Sequence, residues 1–531
     1  MPIQTSHIRY ADTAKFTPLV IDFLKENESL RPFLQDFPSP EAIQKQIERR
    51  RLSPVNRIAL QSVIREQYQE LSLSEAQQKN IDKLLHENTF TLCSAHQPVI
   101  FGGPLYIVYK IIHAIKLSQY CEQYFPKEQF VPVFYMGSED NDLDEIGSFR
   151  FGTKQFRWDT HQQGPCGRMH TVGLAQIVKE IKTSLNEQIP DEQRLIEILE
   201  LAYDDKRTLS EATRILIHEL FSKFGLLVLD ADHHTLKSIF KPVIRQEILQ
   251  STAYEQVMQS LQQWPSSYKA QATPRLINFF YVQDQLRERI EKQGDYWQVL
   301  HTEITFTQQE METEIENFPE RFSPNVILRP LYQEMILPNI VFIGGGGELA
   351  YWLELKGVFD LYHHPYPLLM LRNSVLWIDK ATGQQIDKVG YPLETLFKKA
   401  DDIFRDKSSK EGLFASNEVR LQQIEKIYAD MIAEAEKSGL NMGKSLQAHV
   451  ARIERIHASI REKVLRESKR REVDFMNRIY NIQQHLMPDN SLQERTDSFM
   501  TPFKTFGFSM FEMLLEKQEP FNPGLLVIRD L

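Results

Sequence analysis

Cysteine is scarce in this chain. Its 531 residues hold three, Cys93, Cys121 and Cys166, too few and too scattered for a disulfide framework, which points to a reducing compartment. Long apolar runs are missing as well. Nothing approaches the roughly 20 residues that cross a bilayer, and Met1-Pro2-Ile3-Gln4 lacks the basic start and apolar core of a secretion signal. The expectation is a cytoplasmic protein with no membrane partner. Positive charge falls short of negative, with 62 Lys and Arg against 72 Asp and Glu and a formal net charge of -10. No long basic run offers a field for phosphate backbones, so nucleic acid is not expected as a partner.

Apolar residues, at 42% with 11% aromatic, suffice for more than one core. Residues 1–88 are charged, carry helical periodicity broken at Phe37-Pro38-Ser39-Pro40, and read as a helical segment packing on the core. The pattern changes at Thr89-Phe90-Thr91-Leu92-Cys93, a buried strand that ends in Ser94-Ala95-His96-Gln97 and a Gly102-Gly103-Pro104 turn. Leu105, Val108, Ile112 and Ile115 then recur at helical spacing, and Phe130–Met136 is again strand-like, with Pro132 requiring a place near its start or on an edge. Strand, helix, strand implies a parallel βαβ unit. Leu226–Leu229 and Leu337–Ile343 read as further buried strands, the second followed by Gly344–Gly347 and a helix, while Asn278–Val282 reads as an irregular or antiparallel addition.

The expected fold class is therefore α/β: a doubly wound parallel sheet over 89–390. From about Ser416 to Leu486 the chain is charged and free of proline, with apolar residues at Leu421, Ile424, Ile427, Leu446, Val450, Ile453, Ile460 and Val464. Two long helices broken near Ser438-Gly439-Leu440-Asn441 make an α-helical coiled-coil arm over 391–490. Residues 491–531 return to the core through a strand at Leu525–Ile528.

Open α/β sheets bind ligands beyond the carboxyl ends of their strands, where His96-Gln97, Gly102-Gly103, the acidic loop Glu139–Glu145 and Asp230/Asp232 converge. Glycine N–H groups beside the start of a helix can receive an anion, although Gly-Gly-Pro is also an ordinary turn. The loop packs five carboxylates into seven positions, enough to hold Mg²⁺, bind an amine or supply a general base; a solvated surface loop is the competing reading. Gly344–Gly347 could cradle a phosphate or carboxylate, but no Gly-Lys-Ser/Thr follows, so it is not a P-loop. Cys93 and His96 have half of a zinc-site spacing with no second pair, and no metal site of the protein's own is expected. The pairs His233-His234 and His363-His364 read as caps or satisfied surface groups.

Ser94-Ala95-His96-Gln97 with Gly102-Gly103-Pro104-Leu105-Tyr106 and Lys110, then Glu139–Glu145, Arg329-Pro330-Leu331-Tyr332-Gln333-Glu334, Tyr351-Trp352 and Arg372-Asn373-Ser374, together resemble the bacillithiol-biosynthesis cysteine-adding enzymes over nearly the whole chain. The resemblance implies a Rossmann-like core with connecting insertions, related to class I aminoacyl-tRNA synthetases and nucleotidylyltransferases, a homodimer through the arm, and a ligase that joins cysteine to glucosaminyl malate, with ATP and Mg²⁺ expected. The family's usual Gly-Gln-Gln reads Ala95-His96-Gln97 here, and no Lys-Met-Ser-Lys-Ser loop is visible. On this reading His96, Gln97, Lys110, Asp140 and Asp142 are the catalytic candidates, with Asp140 or Asp142 taking the amine proton. Gly102, Gly103, Tyr106, Glu139, Asp144 and Gly346 are candidates for binding substrate or nucleotide. Arg329, Glu348, Tyr351, Trp352 and Arg372 join them on the resemblance. Two rivals stand beside this reading: a non-catalytic nucleotide-binding scaffold that works through its arm, and a nucleotidylyltransferase.

Overall fold

The computed structural model describes residues 2–410, 412–439, 443–521 and 524–531. Five strands build the central sheet: β1 (Thr89–His96), β2 (Gln129–Met136), β3 (Leu227–Asp230), β4 (Asn339–Gly344) and β5 (Leu368–Leu371). They lie in the order β5-β4-β1-β2-β3, and every neighbouring pair is parallel. Their side chains are buried almost throughout, which explains unbroken apolar runs in place of alternation: helices cover both faces. Pro132 sits mid-strand beside Leu92 of β1, but the β2–β3 ladder begins only at Val133, so on that side it precedes the ladder.

The sequence order of the strands reverses between β1 and β4, the position at which open α/β sheets leave a crevice. Around that crevice stand α1 (Leu105–Tyr124), the single turn α2 (Leu143–Ile146), α3 (Arg329–Ile336) and α4 (Gly346–Leu353). The turn into α1 is tight. Phe101, Gly102 and Gly103 all have positive φ, and a Cβ on Gly103 would stand 2.8 Å from Ile107 and 2.9 Å from Val99, so only glycine fits there.

The insertion between β3 and β4 is an ordered five-stranded antiparallel sheet containing Phe279–Gln283, Leu286–Gln293, Tyr296–Val299, Thr305–Thr307 and Phe322–Pro324. A third sheet corrects the reading of the amino-terminal segment as helical. Ile3–Arg9 is a strand, antiparallel to Gly524–Asp530, which in turn lies parallel to Ser374–Ile378. The returning tail thus joins this sheet and not the central one. Of the paired histidines, His233 caps the helix His234–Gln250 by accepting from the Thr235 N–H at 3.2 Å, and His364 packs against Arg50 and the Glu334 carbonyl.

The arm consists of α5 (Gly412–Lys437) and α6 (Gly443–Arg471), continued by Val473–Leu486. The break at Leu440-Asn441 and the side chain of Leu446 lie outside the described residues. Ile424, Ile427, Ile456 and Ile460 remain exposed on the arm. Among the described residues no helix is long and apolar enough to cross a membrane.

One buried acid leaves a signature in stability. Glu334 of α3 is fully buried; its Oε1 accepts from Asn339 at 2.8 Å and Gln333 at 2.9 Å, while Oε2 has no partner. Burial, against the pull of Arg50, lifts its carboxyl from 4.5 to about 7. A group raised on folding contributes its full stability below the unfolded value and loses it as pH climbs through the folded one. Between pH 5 and pH 8 the wild type is expected to lose about 2 to 3 kcal/mol from this group. Glu334→Gln should flatten that dependence in urea titrations at the two pH values.

Candidate active site

A cavity of about 480 Å³ opens at the carboxyl ends of β1, β2 and β4. His96 and Gln97 enter it from the end of β1, Glu139 and Asp140 from the end of β2, and Tyr106 and Lys110 from α1. Arg329 comes from α3, Gly346, Glu348 and Tyr351 from α4, and Arg372 from just beyond β5. Eleven of the sixteen candidates named from sequence therefore line one space, and the other five do not.

Lys110 is the electrostatic centre. It is 1% exposed, its Nζ donates to the Ala95 carbonyl at 2.9 Å, and it forms an ion pair with Glu348. Burial pulls the ammonium below its ordinary value, opposed by Glu348. Burial would lift the Glu348 carboxyl, but Lys110 and the Gly345 N–H, donating to Oε2 at 2.8 Å, hold it below its usual range. Glu348 thus caps α4 and neutralises Lys110 at once. The first turn of α4 faces the cavity at Gly346 and Gly347, and a Cβ at Gly347 would meet open space.

His96 reads as a neutral imidazole. Burial and the nearby Lys110 bring it down to about 4. Its Nδ1 lies 3.1 Å from the Gln97 carbonyl, which can only accept, so Nδ1 carries the proton and Nε2 accepts from the Tyr106 hydroxyl at 2.9 Å. Gln97 donates to Asp140 Oδ2 at 3.0 Å, and Glu139 is held by Lys237 at 2.5 Å.

Five sequence candidates fall elsewhere. The N–H groups of Gly102 and Gly103 donate to Val99 and Ile100 inside their own turn, and the Leu105 N–H donates to Asp497. The two glycine donors are spent on the turn itself, which positions α1. Asp142 caps α2 by accepting from the Glu145 N–H at 3.2 Å, and Asp144 is 85% exposed and paired with Arg157. Trp352 is fully buried and stacks on Phe342 with ring centroids 4.2 Å apart. It points into the core because successive residues of α4 are turned about 100° around the helix axis, so that Tyr351 lines the cavity while Trp352 is buried.

Sequence reasoning missed the residues that other segments supply. Arg287 reaches in from the antiparallel insertion, lying 3.8 Å from the Phe280 ring and donating to Asn141 at 3.0 Å. Glu494 clamps Arg372 bidentately at 2.9 and 2.7 Å, and Arg495 beside it lines the cavity. Polar atoms without protein partners also sit in the lining residues: Arg372 Nε, Arg287 Nε and Ser323 Oγ are buried and unbonded. Unmet donors of this kind are costly in an apolar interior and ordinary in a ligand site. Among the described residues no group of three or more His, Cys, Asp or Glu is arranged to hold a metal ion.

Two family models cover the chain. The bacillithiol-biosynthesis BshC N-terminal Rossmann-like domain matches residues 3–373, and the BshC C-terminal coiled-coil domain matches residues 375–529. The chain belongs to the BshC family of bacillithiol biosynthesis. Relatives named "Putative cysteine ligase BshC" from Flavobacterium johnsoniae and Christiangramia forsetii are 36% and 35% identical, each aligned over 99% of this chain and 99% of its own length. One from Cytophaga hutchinsonii is 35% identical over 96% of both. The BshC domain models meet at 373–375, immediately after Arg372, whereas the sequence reading begins the arm at 391. The BshC coiled-coil domain therefore contains Glu494 and Arg495, two residues that complete a cavity in the Rossmann-like domain.

Proposed function

We propose that this chain is a ligase that activates the carboxylate of cysteine at the expense of ATP and joins it to the amine of glucosaminyl malate, giving bacillithiol. The observation that carries this reading is the cavity at the β1/β4 crevice, in a BshC-family chain, with a buried ammonium and unmet guanidinium donors. A free carboxylate repels an amine, so it must first be converted to an ester-like form, and negative charge then develops on its oxygens. Lys110, Arg372 Nε and the first N–H groups of α4 at Gly346 and Gly347 are placed to receive such charge. ATP supplies the activation when bound, and its phosphates fit the same donors. Mg²⁺ would travel with those phosphates, with Asp140 as a protein oxygen ligand, consistent with the habit of this ion to keep few protein ligands.

Arg495 supports an acidic acceptor. Among the cavity's cationic side chains it alone makes no hydrogen bond or ion pair with a described residue, and it is exposed. A malate carboxylate would complete it. Two protomers would associate through the arm, whose exposed Ile424, Ile427, Ile456 and Ile460 offer an apolar seam.

The test is purified protein incubated with cysteine, ATP and glucosaminyl malate, with the product thiol read by mass spectrometry. Formation of the amide supports the reading, and its absence overturns it. Arg495→Gln is expected to raise KM for the malate-bearing acceptor about 10-fold, since a hydrogen bond to a charged group contributes about 1.5–3 kcal/mol, while KM for cysteine holds.

A further inference from the structure

Four carboxylates line the cavity, and three are engaged. Glu139 is bonded to Lys237, Glu348 to Lys110 and the Gly345 N–H, and Asp140 to Gln97 and its neighbour's N–H. The fourth, Glu145, is exposed and lines the cavity, and its carboxylate makes no hydrogen bond or ion pair with any described residue. It is fixed from behind: its backbone N–H is capped by Asp142 in α2, and the preceding loop is pinned where the Cys166 N–H donates to the Asp140 carbonyl at 2.7 Å and the Gly167 N–H to the Ser138 carbonyl at 2.8 Å. Around it stand Asp140 and Asp142 of its own loop, Tyr106 and Lys110 of α1, and Glu348 of α4. Arg495 approaches the same Tyr106 from the tail.

We propose that Glu145, and neither Asp140 nor Asp142, is the general base that takes the proton from the acceptor amine. This rests on the ligase reading above. The amine nitrogen attacks the activated carbonyl carbon of cysteine and a C–N bond forms. The bond from that carbon to the phosphate-bearing oxygen breaks, its electron pair leaving on the oxygen. The proton lost by the nitrogen passes to the Glu145 carboxylate. A base and an unpaired guanidinium lining one cavity suit an acceptor that carries an amine and a carboxylate on one molecule. Partial desolvation, then Asp142 and Asp140, lift the Glu145 carboxyl above its usual range against the pull of Lys110. The base is therefore ionised only at higher pH, and activity should rise as pH climbs through that raised value.

The decisive comparison is Glu145→Gln against wild type with two acceptors, glucosaminyl malate and hydroxylamine, each with cysteine and ATP. Hydroxylamine is a strong nucleophile that needs no base and traps the activated carboxyl as a hydroxamate. The expected result is a 10²- to 10³-fold fall in kcat for amide formation with loss of the acid limb of the pH profile, while hydroxamate forms within about 3-fold of the wild-type rate. Amide formation within about 3-fold of wild type across the pH range would overturn the assignment, as would an equal fall for both acceptors, which would place Glu145 in activation or folding. If wild type gives neither hydroxamate nor amide, the ligase reading fails and the assignment falls with it. Hydroxamate and amide from wild type with an unimpaired variant removes Glu145 alone.

Discussion

Glu494→Ala is expected to destabilise the chain by about 3 to 5 kcal/mol, the usual consequence of stripping one partner from a buried pair. The pair qualifies on every count. The side chains of Arg372 and Glu494 are 4% and 1% exposed, joined by two parallel hydrogen bonds, with Ser374 Oγ donating to the same carboxylate at 3.1 Å. Removal of the acid leaves a guanidinium with nowhere to go. The site should suffer too, because Arg372 lines the cavity. Urea titration gives the first quantity. Arg372→Met combined with Glu494→Met is expected to recover most of the stability but not the ligation, because an apolar pair of similar volume replaces the charges without leaving either alone. A single substitution costing under about 1 kcal/mol would show that water reaches the pair.

The second large effect is on turnover. Lys110→Met is expected to lower kcat about 10²- to 10³-fold, the range seen when one preorganised charge-stabilising group is lost. Stability falls as well, since the half-buried Glu348 is left beside an apolar side chain. Adding Glu348→Gln separates the two consequences. The double variant keeps an acceptor for the Gly345 N–H and removes the unpaired charge, so its midpoint of unfolding should return toward wild type while kcat stays low. A double variant with wild-type turnover would remove Lys110 from the chemistry.

The central sheet was legible because its strands are buried on both faces. Continuous runs such as Thr89–Cys93 and Phe130–Met136 have few other uses, and His96-Gln97 and Glu139-Asp140, which follow them closely, emerge at the strand ends. The charged, proline-free arm was legible for the opposite reason, long helical stretches interrupted by a helix-stopping segment only near Gly439. Ile3–Arg9 was not. Most of its side chains face solvent, so it shows no apolar alternation, and its partner strand lies more than five hundred residues on. The acidic loop misled in detail because a run of carboxylates does not say which become caps: α2 turns Asp142 into its own N-cap, Asp144 outward and Glu145 toward the cavity. The glycine turn misled because its N–H groups are spent on the turn itself. Arg287, Glu494 and Arg495 carry no motif, and only the folded chain brings them to β1 and β4.

The sheet that joins Ile3–Arg9 to Gly524–Asp530 sets an order of events during synthesis. Ile3 pairs with Asp530 and Arg9 with Gly524, and Ser374–Ile378 docks on the opposite edge of the same late strand. At the roughly 5 to 20 residues per second of a translating ribosome, the first strand waits on the order of 30 to 100 s for its partner. The central sheet waits less, because its last strand ends at Leu371. The crevice between β1 and β4 can therefore close while the two strands that will flank the tail still wait for it, and docking of the tail, with Glu494 reaching Arg372 and Arg495 reaching the cavity mouth, is the step that turns a folded sheet into a finished site.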